Sequence, residues 1–287
     1  MKEFEQYQEQ KGYARNTIRA NENTVINFQE WCKTERINFD KVGYNELLAF
    51  VKHCQQQGNK VNTIRMKIKS LSHYFEFLER AENPAILIKL QGQTRQIPHN
   101  LFDEDELKEI YNLQNTKGLV GKRNKVLLSL VLFQGVSPIE LERIELKDVD
   151  LFEAKIYVPS TRTANSRMLD LKPIQLLMMQ EYMTNIRSEI LKQFDRKSDK
   201  LLISMGFSEQ EKLSNVIARI VKVIKQDYPK LKGFEQIRQS VIASWINQHG
   251  LRKAQYMAGH KYVSSTERYN VDKMEGLKTD LEKHFPL

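Results

Sequence analysis

The chain has 287 residues, enough for one large domain or two ordinary ones, and its 40% hydrophobic and 28% charged residues exclude a disordered protein. Its net charge of +9 indicates a polyanionic partner, most commonly nucleic acid, although a solvated basic surface would have the same composition. The two cysteines form neither a disulfide framework nor a metal motif, and the chain has no signal-like N-terminus and no membrane-spanning apolar run, so we expect a cytoplasmic protein without cofactor or metal.

Apolar residues at helical spacing predict four helices over residues 1–88. A short leading helix precedes a longer one, which Asn16 or Thr17 would cap. Gly58 ends the third helix, and the fourth begins near Asn62. The face of this fourth helix opposite its apolar stripe is basic and carries Arg65, Lys67 and Lys69. We therefore expect an all-helical N-terminal domain.

Residues 89–100 have no helical stripe and predict a linker to a second domain over residues 101–287. The second domain begins with a capping box, because Glu106 follows Asp103 at the required spacing. Residues 125–133 predict a buried helix, and later segments at 215–224 and 237–247 are helical again. Residues 156–158 and 168–171 predict two strands joined by a polar turn. The fold class is therefore mainly α, with a small antiparallel sheet in the C-terminal domain.

Candidate chemistry gathers near the end of the chain, where Tyr269 follows His260 by nine residues. A phenol has a pKa near 10 and is a poor nucleophile unless cations surround it and its target is an electrophilic phosphate. Arg238 lies on an apolar helix, where a guanidinium needs an anionic partner. Arg162 and Arg167 stand on the turn between the two strands. A chain with 45 Lys and Arg brings such residues together easily, so each is also explained as a structural or solvated group.

The order of Arg238, an Ala-Gly-His turn at His260 and then Tyr269 resembles the tyrosine recombinase or phage integrase superfamily. The usual pattern there is His-x-x-Arg on a helix, a Leu-Gly-His turn and the nucleophilic tyrosine. The resemblance covers nearly the whole chain, because GYARNTIRANENTVINFQEWC resembles core-binding helices and RNKVLLSLVLFQGVSPIELERIELKDVDL resembles the first helices of the catalytic domain. It implies a core DNA-binding domain, a catalytic domain and double-stranded DNA with a specific recombination site as partner.

Two positions depart from the family's pattern. Ser137 stands where the first catalytic arginine is expected, and Glu235 stands where a histidine precedes the second arginine. Glu140 matches a common acidic partner in the pocket. Arg162 is the nearest match to the family's strand-turn lysine, and Arg167 is the next. Either another cation covers the missing charge, such as Arg162 or Arg143, or the chain binds and synapses DNA without cutting it well.

The resemblance implies a role for each matching residue. Arg238 would bind the scissile phosphate, His260 would assist it, and Tyr269 would attack to form a 3′-phosphotyrosyl link while Arg162 helps the leaving group. Candidate contacts to DNA are Arg19, Arg65, Lys67, Lys69 and Arg167. Four protomers on two sites would join through a C-terminal helix whose apolar stripe is Leu277, Leu281 and Phe285. The expected function is recombination for a mobile element, and the alternatives are a catalytically weak DNA-binding protein or a type IB topoisomerase-like enzyme.

Overall fold

A computed structural model describes residues 1–91, 100–204 and 213–270. The chain divides into two compact units, Met1–Gln96 and Ile97–Leu287. Most of the predicted linker and the whole predicted C-terminal docking helix lie outside the described residues. The domain limits at residues 88 and 101 therefore stay predictions.

The N-terminal unit is helical, as predicted. Its helices are α1 (Lys2–Gln10), α2 (Arg15–Thr34), α3 (Tyr44–Gln56) and α4 (Val61–Phe77), with 3₁₀ turns at Phe39–Lys41 and Pro84–Leu87. Aromatic rings fill its core, and the Phe28 and Phe50 rings meet edge to face with centroids 4.8 Å apart. The predicted cap of α2 is wrong: the helix begins at Arg15 after an extended Ala14, whose carbonyl accepts the first helical hydrogen bonds, so Asn16 lies inside the first turn.

The C-terminal unit combines helices with a small sheet. In chain order its elements are α5 (Glu104–Leu113), α6 (Gly118–Gln134), α7 (Pro138–Leu141), a 3₁₀ turn (Leu146–Asp148), β1 (Val149–Asp150), β2 (Lys155–Val158), β3 (Arg167–Asp170), α8 (Pro173–Glu181), a π-helical turn (Tyr182–Ile186), α9 (Arg187–Gln193), α10 (Leu213–Asp227), α11 (Phe234–His249), α12 (Leu251–Ala258) and α13 (Ser264–Glu267). The predicted capping box is confirmed, because Asp103 Oδ1 accepts from the Glu106 amide at 2.8 Å and Glu106 Oε2 accepts from the Asp103 amide at 2.9 Å.

The three strands form an antiparallel sheet in the order β1-β2-β3. In its register, Ile156 faces Leu169 and Val158 faces Arg167. The predicted strands are confirmed within one residue of their ends, and so is the fold class. Arg167, at the first position of β3, is buried and directed into the unit rather than toward solvent.

Helix α6 is buried along most of its length, and α11 packs against it and against α12. Gly135 ends α6 with a φ of +54°, where the ring of Trp245 from α11 leaves no room for a side chain. This sharp end turns the chain into α7 directly beside α11. No helix among the described residues combines the length and the apolar character that crossing a bilayer requires.

Candidate active site

Glu140, on α7, is the centre of a buried polar cluster. Its side chain has no exposed surface, and its Oε1 lies 2.6 Å from Arg167 Nη1 while its Oε2 lies 3.1 Å from Arg238 Nη1. Ser137 donates to the same Oε2 twice, from its hydroxyl at 2.7 Å and from its amide at 2.8 Å. Burial alone would raise the pKa of Glu140, but the hydrogen bond and charge of Arg167, the charge of Arg238 and the Ser137 amide lower it below the usual value. The carboxylate is therefore ionised and joins α7, β3 and α11.

Arg238 lies on the apolar helix α11 and finds the anionic partner that its position requires. Besides Glu140, its guanidinium donates to the carbonyl of Gly135 and, at 2.7 Å, to the carbonyl of Ala258. Burial lowers the pKa of Arg238, and the charge of Glu140 opposes that effect. The end of α6 and the end of α12 thus fix the orientation of this guanidinium.

Arg167 reaches the same carboxylate from the sheet. Its Nε donates to the carbonyl of Met257 at 2.6 Å, and its Nη1 donates to Glu140. Its Nη2 is buried and has no hydrogen-bond partner among the described residues. Gly259, with a φ of +71°, makes this approach possible, because a Cβ there would lie 2.5 Å from Arg167 Nη1.

Tyr269 is 2% exposed and lies against His260, with ring centroids 6.0 Å apart and an interplanar angle of 21°. Arg268 donates a hydrogen bond to the tyrosine hydroxyl, and its guanidinium carbon lies 4.6 Å from the ring centre. Burial raises the pKa of Tyr269, while the hydrogen bond and charge of Arg268 act to lower it. The candidate nucleophile is therefore a neutral phenol that a cation contacts directly.

His260 follows the Gly259 turn and is held both by a nearby side chain and by the strand turn. Its Nδ1 lies 2.8 Å from the hydroxyl of Thr266, and its backbone forms an antiparallel bridge with Ala164 of the strand turn. Burial, together with the charges of Arg238, Arg268 and Arg167, lowers the pKa of His260 from 6.5 to about 4. The imidazole is therefore neutral at physiological pH and faces Tyr269 as a hydrogen-bonding group.

The remaining predicted residues of this unit lie outside the buried cluster. Arg162 is exposed on the strand turn, and its carbonyl accepts from Lys261 Nζ at 2.8 Å. Glu235 is exposed at the start of α11, although its charge acts on the pKa values of both Arg238 and Tyr269. Of the predicted catalytic residues, the cluster thus contains Glu140, Ser137 and Arg238, joined by Arg167, which was predicted as a DNA contact. Arg162 and Glu235 are not part of it.

Two residues of the site, Thr266 and Arg268, were missed from the sequence, and Gly259 was named only as part of the Ala-Gly-His turn. The αL turn before a functional histidine is a usable sequence signal for Gly259, and the immediate neighbourhood of Tyr269 is one for Arg268. Nothing in the local sequence singles out Thr266 as the partner of the imidazole. No group of three His, Cys, Asp or Glu side chains that could hold a metal ion is found within residues 1–91, 100–204 and 213–270.

The predicted DNA contacts of the N-terminal unit lie on α2 and α4. Arg19, Arg65 and Lys69 are exposed, and Arg65 and Lys69 line one groove with Lys89. Lys67 is half-buried, and its Nζ lies 3.8 Å from Cys54 Sγ. The groove therefore takes its charge from Arg65, Lys69 and Lys89 and not from Lys67.

The sequence of each unit matches the model of a known protein family or domain. Residues 100–275 match the phage integrase family, and residues 1–82 match the phage integrase N-terminal SAM-like domain. The chain belongs to the phage integrase family. This result confirms the resemblance to tyrosine recombinases that the sequence carries.

Individual phage integrase relatives cover nearly the whole chain. A tyrosine recombinase XerC of Bacillus subtilis (strain 168) is 25% identical over 100% of this chain and 96% of its own length. Among solved structures, the XerH site-specific recombinase bound to palindromic difH substrate has a TM-score of 0.70 at 17% identity, covering 92% of this chain and 79% of its own. The Tn1549 transposon integrase in complex with transposon right end DNA has a TM-score of 0.68 at 14% identity, covering 97% of this chain and 96% of its own. These two structural likenesses show a shared fold.

Proposed function

We propose that this phage integrase family member is a site-specific recombinase that breaks and rejoins DNA through a 3′-phosphotyrosyl intermediate. One observation carries the proposal: Tyr269 is stacked on His260 beside a buried cluster in which two guanidiniums share the single carboxylate of Glu140. The charges of Arg167, Arg238 and Glu140 sum to +1. This positive charge is buried in the protein interior, where the low dielectric constant makes charge interactions stronger than in water. An anion is therefore the ligand that this cluster is suited to bind.

The arrangement suits attack by a phenol on a phosphodiester. Tyr269 Oη would form a bond to phosphorus while the bond from phosphorus to the 5′-oxygen breaks, and the phenolic proton leaves as the 5′-oxygen gains one. Arg238 would stabilise the non-bridging oxygens, and the neutral His260 would donate a hydrogen bond to the same phosphate. Arg162, exposed on the strand turn, would stand near the leaving group. No step in this scheme needs a metal, because the guanidiniums supply the charge.

DNA would lie across basic surfaces of both units. In the N-terminal unit, the exposed Arg19 of α2 and the groove lined by Arg65 and Lys69 present positive charge suited to backbone phosphates. The net charge of +9 and the DNA bound by the XerH and Tn1549 integrase relatives support this partner. We further propose, from the family resemblance, that four protomers assemble on two sites through Leu277, Leu281 and Phe285, and that a mobile element is the DNA acted upon.

The experiment begins with selection of a duplex from a randomised pool by the Tyr269→Phe protein. A set of duplexes is then made, each with a nick at a different position. Cleavage next to a nick releases a short strand with a 5′-hydroxyl, which diffuses away. The protein cannot rejoin the DNA, so the covalent intermediate accumulates. We expect wild type to form a covalent protein–DNA adduct and Tyr269→Phe to form none. Tyr262→Phe, an exposed tyrosine of the same segment, is the matched control and should cleave normally.

The second candidate function is a DNA-binding protein that cuts poorly, and the serine at position 137 favours it. Selective binding of the duplex with no adduct from wild type on any nicked member would support that candidate and exclude the recombinase. Relaxation of a supercoiled plasmid that lacks the selected site would instead indicate a type IB topoisomerase-like enzyme. Deletion of residues 274–287 tests the assembly, because retained binding with lost synapsis indicates docking between protomers.

A further inference from the structure

The side chain of Arg167 is fully buried, yet one of its three nitrogens has no hydrogen-bond partner in the described part of the chain. Nε is used by the carbonyl of Met257 and Nη1 by Glu140, which leaves Nη2 unpaired. A buried charged donor without a partner is costly, and such a group is retained where a ligand completes it. The free nitrogen belongs to the cluster that already carries one uncompensated positive charge, so the ligand it requires is an anion.

Arg167 also occupies a particular place in that cluster. Ser137 Oγ and Arg167 Nη1 contact the two oxygens of the same carboxylate, at 2.7 Å from Oε2 and 2.6 Å from Oε1 of Glu140. The short side chain of Ser137 ends at Glu140 and supplies no charge. A guanidinium from β3 therefore stands beside the position at which an arginine is missing from the chain.

The other cations considered for this role lie elsewhere. Arg143 is exposed, and its Nη1 donates to the carbonyl of Ser160 at 2.7 Å. Arg162 is exposed on the strand turn. Among these three arginines, Arg167 alone contacts Glu140 and shares it with Arg238.

We propose that Arg167 replaces the arginine absent at position 137 and that its Nη2 binds a non-bridging oxygen of the scissile phosphate. The proposal rests on the recombinase function proposed above and makes Arg167 a catalytic residue of this chain. Two guanidiniums, from β3 and from α11, then face one phosphate, and Glu140 holds both of them in place. Arg167 forms no covalent bond, and its contribution is to stabilise negative charge that develops as Tyr269 attacks.

The test measures the rate of adduct formation on the nicked duplex for Arg167→Ala, Arg167→Lys and Arg143→Ala. Loss of one such donor should slow cleavage by about 100-fold or more in Arg167→Ala. DNA binding, measured in the Tyr269→Phe background, should change far less. Arg167→Lys keeps a cation next to Glu140 but lacks the guanidinium fork, so it should also be strongly slowed while remaining folded. Arg143→Ala should cleave within a few-fold of wild type.

A second duplex separates a catalytic role from a structural one. A methylphosphonate at the scissile position replaces one non-bridging oxygen with an uncharged methyl group, so there is less charge to stabilise. The defect of Arg167→Lys should shrink on this duplex, whereas a variant with a damaged fold would be equally slow on both. Moving the guanidinium in the double variant S137R/R167A should restore part of the rate that Arg167→Ala loses.

The outcomes separate this inference from the proposed function. No adduct from wild type overturns the recombinase function, and this inference with it. An adduct from wild type, with Arg167→Lys within a few-fold of it or equally impaired on both duplexes, overturns the role of Arg167 and leaves the recombinase standing. A large loss in Arg143→Ala combined with a small one in Arg167→Lys assigns the missing charge to Arg143 instead.

Discussion

Arg268 donates a hydrogen bond to the hydroxyl of Tyr269 and places its guanidinium 4.6 Å from the centre of the same ring. The two residues follow the end of α13 at Glu267, and the Tyr269 side chain is directed into the unit. The contact stabilises the phenolate relative to the phenol and so opposes the effect of burial on the pKa. Arg268 therefore tunes the candidate nucleophile, although the sequence interpretation gave it no role.

Removal of this cation should raise the pKa of Tyr269 further. In Arg268→Ala, the burial that raises the pKa of Tyr269 remains, while the hydrogen bond and charge of Arg268 that lower it are lost. NMR titration of protein labelled with ¹³C at tyrosine Cζ measures the shift, and the Tyr269→Phe spectrum assigns the signal. Arg252→Ala, an exposed arginine of α12, is the control. An unchanged or lowered pKa of Tyr269 in Arg268→Ala would contradict the contact as described.

His260 should make stability depend on pH on the acid side. The folded protein protonates this imidazole at about 4 and the unfolded chain near 6.5, so the unfolded state binds more protons between these values. The stabilisation is complete above about pH 6.5, and the free energy of unfolding should fall as the pH drops from there to about 4. Urea denaturation should show a smaller fall for His260→Gln than for wild type, and the full fall for His249→Gln, an exposed histidine. Identical slopes for all three proteins would exclude the effect.

The sequence predicted those features whose causes are local. The capping box of Asp103 and Glu106 depends on two residues three positions apart, and the strands are short apolar segments on either side of a polar turn. Both could therefore be predicted from the local sequence. The contact between Arg167 and Glu140 joins residues 27 positions apart and depends on the packing of β3 on α12. The sequence placed Arg167 on the turn beside Arg162 but could not show that one arginine is buried and the other exposed.

Glu140 should be essential to the stability of the C-terminal unit. Glu140→Gln removes the only charge that compensates Arg167 and Arg238 within this cluster and leaves two buried guanidiniums facing each other. Breaking a buried pair in this way costs about 3–5 kcal/mol. Chemical denaturation measures the change, and Glu145→Gln, whose partners Lys147 and Lys200 are more exposed, should have a much smaller effect. Equal losses for the two variants would argue against a buried, ionised Glu140.

Gly259 and Gly58 form a matched pair for testing the approach of Arg167, because each follows the end of a helix with the same backbone hydrogen-bond pattern. Both have positive φ values, +71° and +73°, but a Cβ at Gly58 would meet nothing within 4 Å, whereas one at Gly259 would lie 2.5 Å from Arg167 Nη1 and 3.0 Å from the Asn165 carbonyl. Gly58→Ala should lose about 1–2 kcal/mol from backbone strain alone. Gly259→Ala should lose more and should also slow adduct formation, because Arg167 must move. Similar losses of stability and unchanged cleavage in both variants would show that the close approach has no consequence.

Glu235 should slow cleavage by its charge. Its carboxylate stands at the start of α11, three residues before Arg238, and its charge raises the pKa of Tyr269. An anion in this position also repels the phosphate. Glu235→Gln should therefore increase the rate of adduct formation by roughly 2- to 5-fold at low ionic strength, and the gain should shrink with added salt as the charge is screened. Glu189→Gln, an exposed carboxylate on α9, controls for the change in net charge and should leave the rate unaltered. A slower Glu235→Gln enzyme would mean that the carboxylate takes part in the reaction, as the histidine expected at this position would.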